Sequence, residues 1–118
     1  MHAPTLLIVD DEERMRRLFE LVLKAAGYQL LLARSGDEAL HMLQEHDSID
    51  MIITDLQLGT VSGMDVLEAA HKQAPDVPVL IVTGYGTVKS AVEAMQKGAY
   101  DYISKPVDNE ELKIVIAR

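Results

Sequence analysis

An α/β fold, with a five-stranded parallel sheet covered by helices on both faces, is predicted by three features of the sequence. Runs that are apolar at nearly every position, Leu6-Leu7-Ile8-Val9, Met51-Ile52-Ile53 and Val79-Leu80-Ile81-Val82, have the composition of central strands buried on two sides. Between such runs lie stretches whose apolar residues recur at helical spacing, so that strand and helix alternate five times. The connections are too short for anything but right-handed crossovers, which makes the sheet parallel.

Taken in order, Met1-His2-Ala3-Pro4 reads as a frayed start and residues 6–9 as the first strand. Over residues 12–26, Met15, Leu18, Phe19 and Val22 form one apolar helical face, and Gly27 supplies the stop. Residues 28–33 make a second strand. Ser35-Gly36-Asp37-Glu38 then has the pattern of a capping box opening a helix through Leu43. A strand ending at Asp55 follows, then a loop through Gly59 and Gly63, then a helix with Met64, Leu67 and Ala70 inward that ends near Pro75. Residues 77–83 are predicted as the fourth strand, because Pro78 is tolerable only near a strand's start. Val88, Ala91, Val92 and Met95 share one face of a helix from about Thr87, closed by Gly98 as a left-handed terminal residue. A strand through Tyr102 ends at Lys105, and Asp108-Asn109-Glu110-Glu111 caps a last helix with Leu112, Val115 and Ile116 inward.

A chain of 118 residues is expected to form one domain that buries roughly 65 % of the surface of its unfolded form. The formal charge of −8 argues against direct contact with nucleic acid, which needs clustered Lys and Arg. Without cysteine there is no disulfide, thiolate metal site or thiol catalysis, and a reducing cytoplasm suits the composition. No apolar run is long enough for a signal-peptide core or a membrane span, so the expected location is cytoplasmic. The last helix is still running at Arg118 with no Gly or Pro stop, which reads as a fragment cut just short of a domain's end.

Parallel strands bring their C-terminal ends to one edge, where open α/β sheets bind ligands. That edge would gather Asp10, Asp11, Asp55, Thr83 and Lys105. Glu12 and Glu13 are explained by the helix dipole, which favours acids in a first turn. Asp10 and Asp11 precede the helix, and with Asp55 they would repel strongly unless a cation lay between them. Mg²⁺ is the natural choice, a hard ion that takes oxygen ligands and keeps waters for a phosphate to replace. Zinc is disfavoured, because His2, His41, His46 and His71 form no ligand set. Mg²⁺ and Lys105 together balance three carboxylates, leaving Asp55 ionised and usable as a nucleophile. Lys105 precedes Pro106, where the backbone is held extended or can be cis, and with the Thr83 hydroxyl it can stabilise a transferring phosphoryl group. Tyr85 and Tyr102, taken singly, read as packing residues. Asp10-Asp11 stands where a dinucleotide fold would carry its glycines, which disfavours nucleotide binding.

Leu7-Ile8-Val9-Asp10-Asp11-Glu12, Ile52-Ile53-Thr54-Asp55, Val82-Thr83-Gly84 and Tyr102-Ile103-Ser104-Lys105-Pro106 form an ordered set that resembles the receiver domain of bacterial two-component response regulators. The stretches around Thr83–Val88 and Ala94–Tyr102 resemble more particularly the N-terminal receivers of NtrC-type transcriptional activators, in which an ATPase and a helix-turn-helix domain follow. The resemblance implies a flavodoxin-like fold with strand order 2-1-3-4-5 and makes Asp55 the phosphoacceptor. By the same carry-over, Asp10, Asp11, Asp55 and the backbone carbonyl of Gln57 hold Mg²⁺, Thr83 and Lys105 bind the phosphoryl oxygens, and Tyr102 is the aromatic switch. Implied partners are a sensor histidine kinase, a downstream output domain and a second copy. The face built from the helix after Thr87, the strand through Tyr102 and the last helix would serve for output, with Lys89, Glu93, Gln96 and Lys97 exposed on it. Gln57 and Tyr85 are expected to help set the lifetime of the phosphorylated state. The sequence departs from the family at Gly59, where Pro is usual, and at Gly84, where Ala is commoner; Gly59 is expected to add backbone freedom beside the site. Two other classes are a metal-dependent phosphohydrolase, which would need an acid-base residue where this chain has Gln57, and an interaction module that no longer accepts phosphate.

Overall fold

The computed structural model describes residues 3–84 and 86–118; Met1 and His2, expected to be frayed, and Tyr85, expected to tune lifetime, lie outside the described residues. The elements run β1 (Thr5–Val9), α1 (Glu13–Ala25), β2 (Gln29–Ala33), α2 (Gly36–Glu45), β3 (Met51–Thr54), α3 (Gly63–Gln73), β4 (Val79–Thr83), α4 (Val88–Gln96), β5 (Asp101–Ser104) and α5 (Asn109–Ala117). All pairings are parallel and the strand order is β2-β1-β3-β4-β5, as predicted.

Successive side chains of a strand point to opposite faces, and here they feed two cores. Leu7, Val9, Ile52 and Ile81 pack under α2, α3 and Ala94 of α4. Leu6, Ile8, Ile53, Leu80 and Val82 pack under Phe19 and Leu23 of α1 and Leu112 and Val115 of α5. Leu7, Ile8, Ile52, Leu80 and Ile81 are wholly inaccessible, and burial of each such side chain stabilises the fold by about 1.5–3 kcal/mol.

The structure differs from the sequence expectation where a helix's orientation depends on its partner. Leu18 is 36 % exposed, and Leu23 takes the inward place, because α1 rests on the sheet through Phe19 and the residue one turn on. Val88, Val92 and Met95 share a face as predicted, but that face points to solvent and α4 buries only Ala94. Lys89, Glu93 and Gln96 are exposed as expected, whereas Lys97 is engaged by Glu68 of α3. β4 begins at Val79, after Pro78 rather than before it. At α2 the Ser35 hydroxyl accepts from the Glu38 amide, but the Glu38 carboxylate turns to the amide of Arg34, so the reciprocal half of the capping box is missing.

Gly63 opens α3 directly beneath the end of β3. A Cβ there would stand 2.0 Å from the carbonyl oxygen of Asp55, so only glycine lets the loop fold back this closely. Its amide donates to the carbonyl of Leu56 at 3.0 Å, which closes the loop. Gly63→Ala is therefore expected to destabilise the fold by about 1–3 kcal/mol, the usual cost of overpacking. A lower urea midpoint at unchanged slope would show this, and an unchanged midpoint would mean that the loop yields freely.

Candidate functional site

Register places the reactive groups before any side chain is considered. Val9 pairs with Thr54, so the next residues, Asp10 and Asp55, leave neighbouring strands side by side. The Asp55 amide donates to the carbonyl of Val9 at 3.0 Å and the Asp10 amide to that of Ala33 at 3.1 Å, extending both ladders by one step. Thr83 pairs with Ser104, and the Lys105 amide donates to the Thr83 carbonyl at 3.0 Å, so Lys105 enters the same edge from the other side. β1 lies between β2 and β3, and the chain leaves β1 and β3 in opposite directions, which opens a crevice there.

Asp10 and Asp55 are 1 % and 2 % exposed. The Lys105 ammonium bridges them, donating to Asp10 Oδ2 at 2.9 Å and to Asp55 Oδ2 at 2.7 Å. Each carboxylate keeps its other oxygen on a backbone amide: Glu12 donates to Asp10 Oδ1 at 2.9 Å and Gln57 to Asp55 Oδ1 at 3.1 Å. Arg16 donates to the carbonyl of Asp10 at 2.8 Å and ties the first turn of α1 to the loop. Among the described residues no buried side-chain nitrogen or oxygen lacks a hydrogen-bond partner.

Burial holds the Asp10 carboxyl above the usual carboxylate range, and the hydrogen bonds from Lys105 and Glu12 offset this only in part. For Lys105 burial works against the charge, but the hydrogen bonds to Asp10 and Asp55 outweigh it and hold the ammonium above an ordinary lysine.

Asp11 is exposed and completes the acidic set. One carboxylate oxygen from each of Asp10, Asp11 and Asp55 lies within 4.8 Å of the others. Three hard oxygen donors, one of them at the surface, fit a Mg²⁺ ion that retains several waters. Thr83 is buried at the end of β4, and Gln57 is exposed with its backbone against Asp55. Tyr102 lies farther along the edge, half-buried, with its hydroxyl 3.3 Å from Ser90 Oγ.

Glu12 is the residue that sequence reasoning passed over. Assigned to the helix dipole, it instead precedes α1 as a cap residue whose side chain makes no capping bond, and its carboxylate lies 3.6 Å from Lys105 Nζ. Only its place next to Asp10-Asp11 could have drawn attention to it. Glu13 keeps its assigned place on the helix surface, paired with Arg17 at 3.1 Å.

Gly59 has φ +91°, a conformation that proline, held near −65°, cannot take. The loop beside Asp55 therefore takes at Gly59 a turn that the family's usual proline would forbid. At Gly84 a Cβ would sit 3.6 Å from Lys105 Cβ, an ordinary contact, so the alanine expected there would pack on the lysine stem. The Lys105–Pro106 bond is cis.

Comparison with known proteins bears on the whole chain. The family model described as response regulator receiver domain matches residues 6–117. An NtrX-like response regulator of Rickettsia bellii is 40 % identical over 114 residues, 95 % of this chain and 24 % of that protein. Transcriptional regulatory protein GlrR of Escherichia coli is 37 % identical over 112 residues, 94 % of this chain and 25 % of that protein. The chain thus spans about a quarter of the length of these relatives. Among solved structures, a response regulator protein from Burkholderia pseudomallei with a phosphorylated aspartic acid, calcium ion and citrate superposes with a TM-score of 0.88 at 30 % identity, covering 95 % of this chain and 65 % of that one. A match that begins in β1 and ends in α5 takes in the whole sheet: the chain belongs to the response regulator receiver domain family, and its relatives are NtrC-type regulators.

Proposed function

We propose that this chain is a phosphorylation-controlled switch in which Asp55 accepts the phosphoryl group. The observation that carries this reading is the pair of buried carboxylates, Asp10 and Asp55, bridged by Lys105 beside the exposed Asp11. An Asp55 carboxylate oxygen attacks phosphorus, and the bond from phosphorus to the donor's nitrogen or oxygen breaks, its electron pair leaving with the donor. The donor is a phosphohistidine of a sensor histidine kinase or a small acyl phosphate. Water later attacks the phosphorus of the Asp55 acyl phosphate, releasing inorganic phosphate and restoring the carboxylate. Supporting chemistry comes from the Burkholderia pseudomallei relative, whose structure holds a phosphorylated aspartic acid with a calcium ion.

Asp10, Asp11, Asp55 and the Gln57 carbonyl would hold Mg²⁺, which when bound neutralises charge on the phosphoryl oxygens. Lys105 is the cation that follows the negative charge: it lies on Asp55 Oδ2 now and would pair with a phosphoryl oxygen attached there. The Thr83 hydroxyl would donate to a second oxygen. Gln57, a carboxamide, cannot serve as the acid-base residue of a phosphohydrolase, so the chain's role is a regulator's rather than a turnover enzyme's.

Output is assigned to the face of α4, β5 and α5, because Val88, Val92 and Met95 of α4 lie exposed there and Tyr102 connects it to the pocket edge. A second receiver, giving a homodimer, or a downstream output domain is the partner for that face. Relatives four times as long, one of them a transcriptional regulatory protein, support residues 1–118 as the receiver of a longer cytoplasmic regulator of transcription. Among the described residues no helix is long and apolar enough to cross a membrane.

Acetyl phosphate with Mg²⁺ is expected to add one phosphoryl group, seen by intact-mass spectrometry, and Asp55→Ala to abolish it. An undiminished phosphorylated peak in Asp55→Ala would refute the assignment. Mg²⁺ binding is expected in the millimolar range, as for open carboxylate sites that keep waters. Asp11→Ala should weaken it more than Glu13→Ala, whose carboxylate is committed to Arg17; equal losses in a Mg²⁺ titration would place the metal elsewhere.

A further inference from the structure

We propose that Ser90 is the residue through which Tyr102 governs the first turn of α4. The proposal rests on the switch reading above and adds a specific connection from β5 to the helix. Tyr102 points toward the loop after β4, and its hydroxyl fills the space where a side chain at position 86 would be: a Cβ on Gly86 would fall 1.5 Å from Tyr102 Oη and 3.2 Å from the Thr83 methyl. The ring can occupy this place only because residue 86 is glycine, and in that place it lies next to Thr83.

The far end of the ring meets α4. Thr87 caps this helix through a reciprocal box in which its hydroxyl accepts from the Ser90 amide at 3.0 Å and Ser90 Oγ accepts from the Thr87 amide at 2.8 Å. Ser90 Oγ also donates to the Thr87 carbonyl at 3.0 Å and lies 3.3 Å from Tyr102 Oη. A serine hydroxyl has one proton and two lone pairs. With the proton on Thr87 and one lone pair filled by the Thr87 amide, the remaining lone pair accepts from Tyr102. In this structure the ring therefore completes the hydroxyl's set of partners.

Among the described residues α4 buries one side chain, Ala94, and the pair between Lys97 and Glu68 ties its opposite end. A displacement of Tyr102 reaches the helix at its N-cap, where the unpaired amides of the first turn depend on the Ser90–Thr87 box. Ser90 is a positioning residue here, with no contact to the phosphoryl group.

The test compares amide NMR spectra of the protein with and without Mg²⁺ and beryllofluoride, a phosphoryl mimic. Tyr102→Phe deletes one oxygen and leaves every capping bond intact. It is expected to retain the shifts of the pocket amides and to reduce those of residues 87–91 at least two-fold. Ser90→Ala should do the same, with nothing further lost in the double variant. Full-size shifts at residues 87–91 in Tyr102→Phe would overturn the coupling. Thr87→Ala, which breaks the cap but keeps the Ser90–Tyr102 contact, should preserve most of the response; a loss equal to that of Tyr102→Phe would overturn the coupling in favour of simple fraying. Without any ligand, Tyr102→Phe should already displace the Thr87 and Ser90 amide signals, and unmoved signals would overturn the coupling alone. Pocket amides that ignore beryllofluoride in the unaltered protein would overturn the phosphoryl-acceptor reading itself.

Discussion

Two carboxylates held almost entirely out of water, on adjacent strands of one sheet, are compatible with a folded chain only because one ammonium lies between them. Lys105 reaches Asp10 and Asp55 from the far side of β4, so the bridge joins the ends of β1, β3 and β5 across β4 and fastens the C-terminal edge of the sheet. Removing one partner of such a buried pair typically costs a fold about 3–5 kcal/mol, because the other charge is left uncompensated. The same like-charge repulsion makes the edge receptive to a cation beside Asp11. Stability and reactivity draw here on a single electrostatic constraint.

What surrounds that edge is rigid on one side and loosely held on the other. β1, β3 and β4 are buried on both faces, and their ladders run one residue past the strands into Asp10 and Asp55. The loop after β3 is closed by Gly63 against Asp55, so the backbone at Asp55 has little room to move. Beyond Thr83 the chain passes to α4, which is anchored by polar contacts at its two ends and by Ala94 between them. The proposed switch, in which a fixed site moves a neighbouring surface, would need this contrast.

Much of this was legible in the sequence, for identifiable reasons. Strands buried on both faces leave uninterrupted apolar runs, so the sheet and the positions of the polar residues gathered at its edge could be read directly. Helix periodicity tells which residues share a face but not what that face meets. Hence the stripe of Val88, Val92 and Met95 was found correctly while its exposure was not, and Leu18 was turned inward in place of Leu23. Glu12 was assigned to the helix dipole alone because its approach to Lys105 joins distant parts of the chain. The needs for glycine at positions 63 and 86 are close approaches between segments, and the sequence records only that a loop contains a glycine.

The pair between Lys97 and Glu68 sits at the surface, near the place where the His71 ring packs over Gly98. Exposed ion pairs weaken as the screening length shortens, from about 8 Å at physiological ionic strength to about 3 Å at 1 M salt. The bridge between Lys105 and the two buried carboxylates is far less open to screening. Salt therefore acts selectively on this molecule, loosening the C-terminal tether of α4 while leaving the charge balance at Asp55 in place. Rising ionic strength is therefore expected to loosen the C-terminal end of α4 well before it disturbs the buried bridge.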